Sequence, residues 1–156
     1  METTLYTFQA FADGAAPNDV ILGPDGSLYG TTLGLAPASD NGAGTVFQLT
    51  PPGTPGAPWT KTILKSFGYG YNCGPDSPLI LHNGDLYGAA CLSGGGVVFK
   101  LEPPSAPGGA WTTTYLHHFT DGQVPGGAMV LTKNGAIYGA TIDESSGTGT
   151  IYEIAP

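Results

Sequence analysis

Charge is what this sequence has least of. Only 10% of its residues are charged, with four basic side chains against twelve acidic ones and a net charge of −8. A phosphate backbone or an anionic lipid surface would be repelled, so neither nucleic acid nor a membrane surface is an expected partner. Long apolar runs are also missing: none approaches the roughly 18 residues that cross a bilayer, which argues against membrane insertion. Met1-Glu2-Thr3-Thr4 leads directly into a strand-like segment, without the pattern of a secretory signal. Histidine is scarce, and His82, His117 and His118 make a poor metal set, one at a turn and two adjacent on a strand, facing opposite ways. No serine stands in a Gly-x-Ser-x-Gly context, and no acid–base pair stands out. The expectation is therefore a protein that is not an enzyme and needs no cofactor.

Glycine (26) and proline (14) make up about a quarter of the 156 residues. They punctuate apolar runs rather than replace them, which is the composition of an all-β chain with short strands and tight turns. The length suffices for one domain with its own core.

The punctuation is periodic. Asp25-Gly26-Ser27-Leu28-Tyr29-Gly30 returns as Asn83-Gly84-Asp85-Leu86-Tyr87-Gly88 and as Asn134-Gly135-Ala136-Ile137-Tyr138-Gly139. Each copy reads as a hairpin turned at a pair that tolerates positive φ. Phe47, Phe99 and Tyr152 follow at steps of 52 and 53 residues, a period typical of propellers and arrays. Four strands fit each unit. The first is Val20–Leu22, Pro78–Leu81 or Ala128–Leu131, apolar throughout and expected to be covered on both faces. The second carries the tyrosine, with Tyr29, Tyr87 and Tyr138 expected in the core. The third is Thr45–Leu49, Val97–Leu101 or Thr150–Ile154, with Gln48, Lys100 and Glu153 at one polar place. The fourth is polar and ends in phenylalanine: Lys61–Phe67, Thr113–Phe119, and at the N-terminus Thr3–Phe8. Burial should fall from the first strand to the last. Proline-rich connectors ending in Trp59 and Trp111 join strands three and four, and each tryptophan is expected to pin its loop to the sheet.

These residues resemble a known tandem repeat, the GloVer type, with its pattern Leu-x-x-Phe…Asp-Gly-x-x-Pro…Asp-Gly-x-Leu-Tyr-Gly-Thr-Thr…Gly-Thr-Val-Phe-x-Leu. Leu5 and Phe8, Asp13-Gly14 and Pro17, Asp25 to Thr32 and Gly44 to Leu49 carry the match, while the later copies depart at Ala89-Ala90 and Ala140-Thr141. The resemblance implies propeller-like repeats on exported bacterial proteins, hence an extracellular or cell-surface address, and brings no catalytic residues.

The chain thus reads as one domain, 1–156, of three repeats at about 9–67, 68–119 and 120–156, with 1–8 as a displaced fourth strand. Propellers close with about four to eight blades. A spare strand at one end and a gap at the other favour closure between copies, with strand exchange at the joint: a homodimer of six blades ahead of a homotrimer of nine. The alternative is a β-trefoil or β-prism monomer. The function that follows is a non-enzymatic, self-assembling scaffold or ligand-binding surface, with a lectin-like carbohydrate-binding protein as the alternative. The loops before strand one supply its candidate contacts: Asp13, Asn18, Tyr69, Tyr71, Asp76 and Asp121. Asp13 and Asp121 occupy matching places and suit hydroxyl-rich ligands or calcium, or else an Asp-Gly turn that bonds itself. The tyrosines offer a sugar face. Cys73 and Cys91 flank one hairpin, so a disulfide is expected there, with two buried thiols as the alternative.

Overall fold

The computed structural model describes residues 2–9, 14–33, 44–67, 74–75, 77–92, 94–106, 108–143 and 145–156. They form an all-β structure of three antiparallel sheets, none of them closed. The first sheet holds β1 (Ala15–Leu22), β2 (Leu28–Leu33), β3 (Thr45–Thr50) and β4 (Thr60–Ser66) in chain order. The middle sheet repeats that order with β5 (Ile80–His82), β6 (Asp85–Leu92), β7 (Gly95–Glu102) and β8 (Thr112–His118). The last sheet has three strands, β9 (Gln123–Leu131), β10 (Ile137–Asp143) and β11 (Gly149–Ile154).

The turns behave as their residues dictate. Gly26 (φ 81°) and Gly135 (φ 92°) each close a three-residue loop from the left-handed region. Asn83 (φ 54°) and Gly84 (φ 92°) make the two-residue turn that joins His82 to Asp85. The register follows: Leu22 pairs with Leu28, whereas in the middle sheet it is Leu81 that meets Leu86. The shorter turn therefore moves the first strand by one residue.

The glycine of each Tyr-Gly pair has a packing role. Gly30 lies opposite Phe47, Gly88 opposite Phe99 and Gly139 opposite Tyr152, and a Cβ at any of them would collide with the facing ring. A phenylalanine from the preceding fourth strand then packs on that ring. Phe67 lies 5.0 Å from Phe99 and Phe119 lies 4.9 Å from Tyr152, between ring centroids. Each fourth strand thus ends by crossing to the next sheet.

Two cores result among the described residues. Tyr29 and Val46 of the first sheet meet Leu86, Phe99 and Leu101 of the middle one. Ala89 and Val98, on the middle sheet's other face, meet Met129 and Ile137 of the last. The sheets are stacked in chain order with a core between each neighbouring pair, whereas a trefoil or prism gathers its repeats around one.

Three sequence expectations need correcting. Thr3–Phe8 forms no strand within the chain. The first strands of the first and last sheets are not covered on both faces, since Val20, Leu22 and Val130 are exposed; among the described residues only the middle sheet has a neighbour on each side, and Leu79 and Ile80 there pack into the two different cores. Burial in the first two sheets peaks at the second and third strands rather than the first, because β2, β3, β6 and β7 are flanked by strands at both edges and the cores form over them.

Candidate binding surface

Most of the loop residues singled out by sequence, Asp13, Tyr69, Tyr71, Cys73 and Asp76, lie outside the described residues. Asn18 is exposed on β1. Asp121 sits at a turn with φ 58°, where its carboxylate accepts from Thr120 Oγ1 at 3.1 Å. Its carboxylate is thus engaged within its own turn, and no group of three or more His, Cys, Asp or Glu among the described residues could hold a metal ion. Cys91 is largely buried on β6, and its amide donates to Gly74 O at 3.0 Å. Pro75 pairs with Ala90 one step on, so the segment just after Cys73 runs alongside Cys91.

The polar place on each third strand is a cross-strand partner for the tyrosine register. Gln48 donates to Ser27 Oγ (3.1 Å) and to the Tyr29 hydroxyl (3.2 Å). Lys100, opposite Tyr87, pairs with Glu102 (2.9 Å) and Asp85 (3.7 Å). The hydrogen bond from Lys100 holds the Glu102 carboxyl below its ordinary range. In the last sheet the Tyr138 hydroxyl donates to Glu153 at 2.8 Å, and that bond to a carboxylate raises the phenol's pKa. These contacts orient side chains along the sheet rims.

Trp111 corrects an expectation. Its ring reaches across to Tyr29 of the first sheet, edge-on at 6.1 Å, and joins the core there. The proline-rich loop it terminates is therefore pinned to the neighbouring sheet. Loop and sheet enclose a groove of about 600 Å³, lined by Gln48, Ile63, Leu64, Pro104 and Trp111 among others.

The feature that sequence reading missed is a bare apolar face. Val130, Tyr138, Ile142 and Ile151 are all exposed on the last sheet. Tyr138 and Val130 are paired, and Ile151 is opposite Ala140, so alternation puts them on the face turned away from the middle sheet. Tyr138 therefore departs from its expected core position. Ile151 is 82% exposed, while its equivalents Val46 and Val98 are 0% exposed beneath the following sheet. The signal was present in Thr150–Ile154, where apolar residues occupy both strand faces and so call for cover on both.

Sheets of this repeated hairpin plan, joined at recurrent aromatic contacts, define a tandem β-repeat protein. The chain belongs to the Gloeobacter/Verrucomicrobia repeat family, whose model matches residues 1–156. Among curated proteins, none matches its sequence.

Proposed function

We propose that this chain is a non-enzymatic, self-assembling β-propeller module, a scaffold or binding surface whose ring is completed by further copies, two chains making six blades. One observation carries this reading. Phe8 packs on Phe47 at 5.1 Å, as Phe67 does on Phe99 and Phe119 on Tyr152. The residues before Phe67 and Phe119 are the fourth strands of preceding sheets. By the same rule, the segment ending at Phe8 is the fourth strand of a sheet that precedes the first, and the last sheet of another copy is one strand short of four. Pairing the segment with β11 of that copy satisfies both edges.

Sedimentation equilibrium tests it. The expected mass is twice the 15.8 kDa of one chain, and removal of residues 2–8 should abolish the assembly. A wild-type monomer would reject the reading. An exported ring also fits a Cys73–Cys91 bridge, for which thiol titration of the unfolded, unreduced protein should find no free thiol; two would remove the bridge.

A further inference from the structure

We infer that the bare face of the last sheet docks on the outer face of the first sheet of a second copy, with Trp59 of that copy seated on Tyr138. This rests on the assembly reading above and specifies the surfaces that would meet. The chain already builds the same joint twice, between its first and middle sheets and between its middle and last sheets. Three features, of which the proline–glycine contact is made at both joints and the tryptophan–tyrosine contact at the first, have halves left over at the two ends.

The tyrosine is the first. Tyr29 is 8% exposed because Trp111 from the next sheet's proline-rich loop lies against it, whereas Tyr138, at the same place, is 39% exposed. Trp59 ends the corresponding loop of the first sheet and is only half-buried. The second is a proline set against a glycine. Pro75 lies against Gly44 and Pro125 against Gly96, both prolines fully buried. Pro17 and Gly149, their equivalents, are both exposed. The third is the apolar receiving face. Leu79, beside Gly88, is 5% exposed, while Val20, beside Gly30, is 51% exposed. Each unmatched half on the last sheet finds its complement on the first.

The two surfaces are different, so contact between copies is head-to-tail, and it closes a ring or extends a filament according to the rotation at each joint. A second copy is favoured over an unrelated partner because the first sheet already presents all three complements. An unrelated protein would have to supply them anew.

Tyr138→p-benzoylphenylalanine provides the test. Irradiation should join two copies, with the bridged peptide containing Trp59. If the particle keeps its multiple mass but the bridge falls elsewhere, or none forms, the face pairing is overturned while the assembly stands. A particle of 15.8 kDa before any substitution overturns both. Ile151→Asp gives an independent reading. Its side chain is exposed in the single chain, so circular dichroism should be unchanged while the mass falls to that of a monomer; an unchanged mass overturns the pairing.

Discussion

The middle and last sheets share a plan and differ in cover. The middle sheet has a core on each face, so Leu86, Val98 and Phe99 are fully buried. The last sheet keeps one such core through Met129 and Ile137 and leaves Val130, Tyr138 and Ile151 exposed. Composition does not explain the difference, since the exposed positions are as apolar as their buried counterparts. What differs is the presence of a following sheet. Apolar residues on both faces of a strand call for cover on both sides of its sheet.

Paired substitutions at equivalent positions can break this comparison. Val98→Asp puts a carboxylate into the core against the last sheet, with no partner for its charge, and should cost roughly 4 kcal/mol or more, enough to unfold much of the chain. Ile151→Asp, at the same place one repeat on, should change the stability of the single chain by no more than about 0.5 kcal/mol. Urea unfolding of both variants at concentrations where the chain is monomeric measures the contrast. Equal losses would mean that the last sheet's outer face is covered within the chain, contrary to its exposure.

A smaller effect is expected at the motif glycine. Gly88→Ala drives a methyl into the ring of Phe99, and overpacking of this kind costs typically 1–3 kcal/mol. Gly139→Ala meets Tyr152 instead, on a sheet covered on one face and against a half-buried ring rather than the fully buried Phe99, so its cost should be lower. Chemical denaturation midpoints decide it, and a larger loss at Gly139 would contradict the comparison.

Much of this architecture was legible in the sequence because the repeat is written in residues with narrow roles. Asn83-Gly84 specifies a two-residue turn, Tyr-Gly marks the strand that lies under an aromatic ring, and the terminal phenylalanine marks the fourth strand. Inter-sheet geometry was harder to read. Trp111 looks like a clamp on its own loop until the sheets are stacked, because nothing local indicates that it reaches Tyr29 of a different repeat. Tyr138 was misplaced for the related reason that repeat equivalence predicts chemistry, while burial depends on which neighbour is present. The candidate loop contacts were the least legible, for turn-forming Asp-Gly and ligand-holding Asp-Gly have the same letters; Asp121 has its carboxylate within its own turn.

The smallest expected effect sharpens the comparison at the free end of the last sheet. The β10–β11 hairpin is joined by a turn around Asp143, whose carboxylate accepts from Ser145 N (2.9 Å), Ser145 Oγ (2.6 Å) and Ser146 Oγ (2.8 Å). Those side-chain hydrogen bonds from Ser145 and Ser146 lower its pKa from 3.8 to about 2. Because the folded pKa is depressed, this turn's contribution to stability is present above the unfolded value of 3.8 and is lost as pH falls from there toward 2. Carbon-detected NMR of the Asp143 carboxyl should give a midpoint near 2 in the native chain, moving toward 3.8 in Ser146→Ala, with little change in global stability at neutral pH. A midpoint unmoved by the substitution would mean that Ser146 does not hold the carboxylate. The last sheet would then keep its hairpin through Ser145 and the backbone bonds from Gly147 N to Asp143 O and from Asp143 N to Thr148 O.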